Sequence, residues 1–416
     1  MDLHDCVKTG SLEELRVALS NGADVNASGF NGVTPVMTAI AAKDLDKLRL
    51  LLEMGADPEL TDDFNGAALS HAVDWDFADA VRLLLDRGVD RGYSPKHPLK
   101  PIDFESKITI PETPLPDELK GLISDEDWKA AQKIGRDMVI QSGLNPTVQP
   151  TIADVQSVEV LELFLAAGDE IRLAPREVVR SYVGLENGGE FQASAKDYEA
   201  NRSPRFGNAN PDPMDNQFWV DMVRLGGNAF SARSHFKDAD SLEGPVWCYD
   251  RFGSSVTPLP DGRFVQIGGE HEDSYDPDFC IYNDVVVHDG RGGFQIFGYP
   301  REIFPPTDFH TATLVEGTIY IIGCLGYADT RKVGYTPVVR LALGAWEMSP
   351  VSTSGDSPSW LHKHRATYDA SRRAIRVEGG DILTMADSKD QQLAANADQY
   401  ELDLETFIWR KLTEVR

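Results

Sequence analysis

One constellation in the chain has the residue types of a metal or acid–base site, the run Gly269-Glu270-His271-Glu272-Asp273-Ser274-Tyr275-Asp276-Pro277-Asp278. Carboxylates beside an imidazole supply oxygen and nitrogen donors, so Glu270, His271, Glu272, Asp273 and Asp276 are candidate ligands for Ca²⁺ or a transition metal. No second acid, base or nucleophile stands at a recognisable spacing from them. Direct catalysis therefore ranks below metal binding, and both rank below a solvated acidic loop turned by Tyr275 and Pro277. A ligand site here requires the run to meet Asp329, Arg331 and His362 in one axial pocket. Nucleophile elbow, phosphate loop, zinc-helix and EF-hand patterns are all absent from the sequence. No catalytic residue and no cofactor is assigned. His310 and His364 open two similar runs, His-Thr-Ala-Thr and His-Arg-Ala-Thr, and read as structural hydrogen-bonding residues.

The elements that position these residues belong to a chain of 416 residues, long enough for two or three domains. Its net charge of −27 disfavours nucleic acid and an anionic membrane as partners. Nowhere do about 18 apolar residues run together, as a membrane span needs. The beginning lacks a basic and an apolar leader segment, so the expected location is cytoplasmic. Cys6, Cys248, Cys280 and Cys324 lie far apart and read as reduced, mostly buried thiols.

Internal repetition organises the front. Gly22-Ala23-Asp24, Gly55-Ala56-Asp57 and Gly88-Val89-Asp90 recur at intervals of 33 residues, each after an apolar run. Leu48, Leu51 and Leu52 have helical spacing, and the glycine that follows can take the left-handed conformation that ends a helix. Phe30-Asn31-Gly32 leads into Thr34-Pro35, whereas Phe64-Asn65-Gly66 leads into Ala67-Ala68 without the helix-opening proline. On these residues, segment 1–93 resembles ankyrin repeats, and the weaker copy VEVLELFLAAGDEI extends the resemblance to residue 171.

The resemblance implies an α-solenoid with a concave groove that contacts a protein partner. The aligned groove positions are Lys8-Thr9, Ala41-Ala42 and Asp74-Trp75. Trp75 flanked by Asp74 and Asp76 is an apolar anchor in an acidic rim, suited to a basic protein surface, unless it packs under the adjoining insertion. The hairpin tips present Phe30 on one repeat and Asp62, Asp63 and Phe64 on the next. These two phenylalanines either meet a partner or stack on each other.

Residues 94–184 read as an insertion followed by a degenerate ankyrin-like cap, including a helix-like segment that starts at Asp125–Asp127 and stops at Gly143. Residues 185–244 read as an irregular and helical connector. Within it Phe218, Met222, Leu225, Ala229 and Ala232 predict two short helices broken at Gly226-Gly227.

From residue 245 the period changes to two. Short β-rich runs end in Gly268-Gly269, Gly323-Cys324 and Gly379-Gly380, at intervals of 55 and 56 residues, and aromatics follow at Phe294, Trp346 and Trp409. This resembles the kelch repeat of about 50 residues, although Val287, Val339 and Leu402 stand where that family carries a tyrosine. The resemblance implies an all-β propeller, yet only three blades are visible and closed rings have about 4 to 8. The ring is either incomplete, completed by a degenerate blade from about residues 185–250, or completed by a second chain as a homodimer through the β domain. A β-sandwich is the remaining alternative.

The fold expected is thus an N-terminal ankyrin α-solenoid followed by a kelch-like all-β propeller over 245–416. The pairing resembles uncharacterised bacterial ankyrin-repeat proteins. Some bacterial ankyrin proteins are proposed to neutralise toxins, which implies a non-enzymatic adaptor or immunity-like inhibitor. The alternative is an enzyme, or a metal- or carbohydrate-binding propeller, targeted by its repeats.

Overall fold

The computed structural model describes residues 2–89, 150–186, 188–238, 244–273, 276–385 and 391–412. The helix expected after Asp125 lies outside the described residues. Two compact units are present, Met1–Val178 and Val179–Arg416.

The first unit is built from helix pairs: α1 (Leu3–Thr9) with α2 (Leu12–Ser20), α3 (Pro35–Ala41) with α4 (Leu45–Glu53), and α5 (Ala68–Asp74) with α6 (Ala78–Asp86). A further helix, α7 (Val158–Ala166), packs on α6. Gly22, Gly55, Gly88 and Gly168 follow α2, α4, α6 and α7 at φ of +89°, +91°, +72° and +94°. After each, a backbone N–H returns to a carbonyl five residues earlier, as Ala23 to Ala18, Ala56 to Leu51, Val89 to Leu84 and Asp169 to Phe164. A glycine at this position closes the last turn without a Cβ penalty, so the recurring glycine is the physical basis of the repeat.

Leu15, Ile40, Leu48, Leu51, Leu69 and Leu84 form the shared core. Polar links join successive repeats. His4 Nδ1 lies 2.9 Å from Thr38 Oγ1, Lys47 Nζ donates to the Val7 carbonyl at 2.7 Å, and the Asp63 N–H donates to the Asn31 carbonyl at 2.8 Å.

The second unit begins with helices: α8 (Arg176–Tyr182), which spans the division, then α9 (Ala195–Asn201), α10 (Gln217–Leu225) and α11 (Ala229–Phe236). The two predicted helices are present, separated by Gly226 at φ +64° and capped by Asn228. The described residues of this segment therefore form helices and not a degenerate fourth blade. Its apolar residues repeat every three or four positions, which fits a helix face and not a strand. Among the described residues of 185–250, the only strand is β1 (Asp212–Pro213).

Three antiparallel four-stranded meanders follow. The first joins β2 (Ser255–Pro258), β3 (Phe264–Ile267), β6 (Val285–His288) and β7 (Phe294–Gly298), with β1 added outside β7. In the second, β8 (Thr311–Val315), β9 (Thr318–Ile322), β10 (Val338–Ala342) and β11 (Glu347–Pro350) pair in order. The third joins β14 (Arg365–Asp369), β15 (Ala374–Glu378), β18 (Gln399–Asp403) and β19 (Ile408–Leu412), with β12 (Ser354–Gly355) parallel to β19. Two small sheets branch from these: the hairpin β4 (Glu270–Asp273) and β5 (Asp276–Ile281), and the trio β13 (Leu361–His362), β16 (Asp381–Met385) and β17 (Gln391–Ala395).

These β-rich sheets stack face to face in sequence order. Phe218, Trp219, Trp247 and Met222 cover one face of the first sheet through Val286 and Ile296. Its opposite face, with Val265, Ile267, Val287 and Phe297, meets Ile319, Ile321, Leu341 and Trp346. Tyr320, Ile322 and Val338 of the second sheet then meet Ile375, Val377, Leu402 and Trp409 of the third. Trp346 and Trp409 thus fill the gaps between adjacent sheets, whereas Phe294, the third aromatic of the series, packs against the helix-side cluster.

Close backbone approach explains the glycines. At Gly268 (φ +56°) an added Cβ would lie 2.1 Å from the Thr307 carbonyl, and at Gly323 (φ +70°) 2.2 Å from that of Leu361. The described strands do not close into a barrel or a propeller ring. The outer face of the third sheet ends the stack with Thr367, Arg376, Glu401 and Arg410 in one register row. Arg376 and Arg410 of that row are exposed, and Glu401 between them is buried.

Outer edges are also covered. Asn210 donates from Nδ2 to the Met348 carbonyl and accepts from its N–H through Oδ1, both at 2.8 Å, while Asp212–Pro213 pairs with β7. One short segment therefore shields the edges of two sheets, which limits edge-to-edge association.

Candidate functional site

In the first unit the largest exposures among aromatic side chains fall at the end of a first helix and at a hairpin tip, Trp75 and Phe30. Trp75 is the C-cap of α5 and is 49% exposed. Asp76 follows at φ +45°, as Lys43 does at φ +51° one repeat earlier, so the chain turns identically at both positions. Lys43 Nζ donates to the Asp76 carbonyl at 3.4 Å, and Gln156 Nε2 to the Asp74 carbonyl at 3.4 Å. Partial burial, with Asp154 and Asp62 nearby, raises the Asp74 carboxyl above the usual range against the pull of His71. Neither Lys43 nor Gln156 was among the sequence candidates. The signal for Lys43 was its alignment with Asp76 at the 33-residue interval.

Phe30 is 88% exposed and therefore does not stack on Phe64, which is half-buried. Asp62 is turned into its own hairpin. Its Oδ1 accepts from the N–H groups of Phe64 and Gly66, both at 2.8 Å, and its Oδ2 lies 3.0 Å from His71 Nε2. Burial would raise this carboxyl, but the bonds from His71, Gly66 and Phe64 outweigh burial and hold it below the usual range. Asp62 thus shapes the finger, while Asp63 and Phe64 lie partly exposed beside it. Phe30, Trp75, Asp63, Asp74 and Asp76 are thus all exposed or partly exposed on this unit.

In the second unit the acidic run forms the hairpin β4–β5 instead of an irregular loop, with His271 opposite Cys280 and Asp273 opposite Asp276. The side chains of residues 272–278 lie outside the described set, including those of the candidates Glu272, Asp273 and Asp276. His271 is buried, and Glu270 neighbours the Asp308 carboxyl. Among the described residues no group of three or more His, Cys, Asp or Glu side chains is arranged to hold a metal.

The predicted convergence is partial. Arg331 lies within electrostatic reach of Asp308, Cys324 and His362, while Glu270 neighbours Asp308. Burial raises the Asp308 carboxyl and drives the Cys324 thiol far up, and it lowers the His362 imidazole to about 4. Asp329 is exposed. Neither ring nitrogen of His362 has a hydrogen-bond partner among the described residues. Asp308, which the sequence did not point to, is buried beside Glu270 and Cys324. Its Oδ1 accepts from the Gly326 N–H at 2.7 Å and so fixes the loop after β9.

Comparison with known proteins agrees with the first unit. The ankyrin-repeat family, in three copies, matches residues 3–93, and this part of the chain consists of ankyrin repeats. No curated protein matches the chain. Among the described residues no helix is long and apolar enough to cross a membrane.

Proposed function

We propose that the chain is a non-enzymatic protein-binding module, an adaptor or inhibitor that holds a partner with a basic surface through its ankyrin repeats. The observation that carries this reading is the pairing of large exposed apolar side chains, Phe30 and Trp75, with the carboxylates Asp63, Asp74 and Asp76 on a repeat scaffold. Aromatic anchors dominate the energetics of many interfaces, and surrounding charge selects the partner and speeds encounter. The net charge of −27 acts in the same sense at longer range.

The three meanders fit an open, three-bladed relative of the kelch fold. Support comes from their common strand order, the glycines at 268–269, 323 and 379–380, and Trp346 and Trp409 between sheets. In this reading the β unit needs no second chain to complete it, because helices cover its first sheet and charged residues its last.

Affinity capture from native lysate tests the proposal, comparing the intact chain with its Phe30→Ala/Trp75→Ala variant at low and moderate salt. A basic protein retained by the wild type and lost from the variant is expected. Equal capture by both removes the repeats from the binding account.

A further inference from the structure

The second unit contains a cleft of about 410 Å³, within the range of small-molecule sites, roughly 300–1,000 Å³. Its floor is the stretch from Cys280 to Asp284. The floor is held rigidly, because Asn283 Nδ2 donates to the carbonyls of Tyr299 and Phe304 at 2.8 and 2.7 Å. Beneath it Arg251 pairs with Asp284 and stacks 3.6 Å from the Tyr282 ring centroid.

One wall is formed by Tyr327 and Asp329. The Tyr327 hydroxyl accepts from the Ile281 N–H at 3.0 Å. Behind this wall Arg331 donates to the carbonyls of Leu325 and Gly326, both at 2.9 Å, and Asp308 holds the Gly326 N–H. The cleft is therefore preformed, and a ligand does not have to order its walls.

The lining is also cationic, with Arg205 and Arg301 beside Phe206. The Arg301 guanidinium lies 5.7 Å from the Phe206 ring centroid, and that of Arg205 lies 5.7 Å from the Trp219 ring centroid. Among the described residues neither arginine forms an ion pair, although the chain carries 67 acidic residues. Asp284 is already engaged by Arg251 and by the Trp247 indole N–H at 2.7 Å.

We propose that this cleft binds a small organic anion, a phosphate ester or carboxylate carried on a flat unsaturated body. Guanidinium forks match planar and tetrahedral oxyanions, so the acid group sits on Arg205 and Arg301. The flat body lies against Phe206 and Tyr327, whose rings favour such surfaces. Asp329 accepts a hydrogen bond from a hydroxyl or amine of the ligand, which selects an acid that also carries a donor. This site is independent of the repeats and of the partner they hold.

Calorimetric titration of the intact chain with phenyl phosphate, inorganic phosphate and neutral benzyl alcohol tests the inference. Phenyl phosphate should bind with a Kd of about 1 mM or tighter, and at least ~10-fold more tightly than either control. Arg205→Gln and Arg301→Gln should each weaken it by about 10-fold with an unchanged thermal midpoint. The inference is overturned by an absence of saturable phenyl phosphate binding, or by equal binding in the Arg205→Gln/Arg301→Gln double variant. Inorganic phosphate binding as tightly as phenyl phosphate would overturn the assignment of the flat body.

Discussion

His364 Nε2 lies 2.9 Å from Thr311 Oγ1, joining the first strand of the third sheet to that of the second. His310 makes the same link one sheet earlier, 2.8 Å from Ser255 Oγ. Before β2 the histidine position is Ser254, and in β14 the hydroxyl position is Arg365. The link is thus available twice and ends at both outer sheets. A repeat that omits its connector at the first and last copies defines an array of three, in keeping with the helices and charged residues that cover its two ends.

Thr311→Val removes this hydroxyl while keeping the shape of the side chain. A part-buried hydrogen bond of this kind contributes about 1 kcal/mol, and leaving the buried imidazole without it raises the cost toward about 2. The urea midpoint of the β unit should fall accordingly, with the denaturant slope unchanged. An unaltered midpoint would show that the histidines do not fasten the sheets.

Asn210→Ala exposes the N–H and carbonyl of Met348 at the edge of β11. A stability loss of about 1–3 kcal/mol is expected for two lost backbone partners, together with concentration-dependent association through the uncovered edge. Denaturation and light scattering on the same sample check both effects. A variant that remains as stable and as monodisperse as the wild type contradicts this account of the edge.

Acid should destabilise the second unit through two histidines. Burial, aided by Arg180, lowers the His288 imidazole to about 3, and burial lowers His362 to about 4. Both stay neutral when folded and take up a proton on unfolding below about pH 6.5. The unfolded chain then binds more protons, so stability is full above that pH and declines as pH falls toward 4. The slope is at most about 1.4 kcal/mol per pH unit for each group. His288→Gln should flatten it relative to the wild type. Asp308, whose raised carboxyl acts in the opposite sense, is common to both proteins and cancels from the difference. Parallel stability curves between pH 7 and 5 would contradict the assignment to His288.

Exposed and buried apolar residues of the repeats should separate cleanly. Phe30→Ala is expected to change stability by no more than about 0.5 kcal/mol, as for a surface position. Leu48→Ala, in the core, should cost about 2–5 kcal/mol. Thermal melts of the two variants measure the contrast, and a large loss for Phe30→Ala would place that ring in packing instead of recognition.

The parts legible in the sequence are those that a local rule dictates. Gly22, Gly55 and Gly88 mark helix ends because only a left-handed residue closes them, and Gly226-Gly227 breaks α10 from α11 for the same reason. The capping box between Ser194 and Asp197 opens α9 inside a stretch whose Gly, Asn and Pro content reads as a loop, so composition masks a local helix signal. Asp62 reads as a surface carboxylate because its two N–H donors are those of Phe64 and Gly66, a turn geometry that sequence leaves open. The cleft was illegible for another reason. Arg205, Cys280, Arg301 and Tyr327 meet only through the stacking of helical segment and sheets, and no spacing along the chain encodes that meeting.

The central claim, that the exposed residues of the repeats carry the partner, is tested most directly by titrating the captured partner against three forms of the intact chain. These are the wild type, Phe30→Ala/Trp75→Ala and Arg205→Gln/Arg301→Gln. Loss of two anchors at about 1.4–2 kcal/mol each predicts about 100-fold or greater weakening for the first variant, and unchanged affinity for the second. Wild-type affinity in the Phe30→Ala/Trp75→Ala protein would contradict the account and move the interaction off the ankyrin surface.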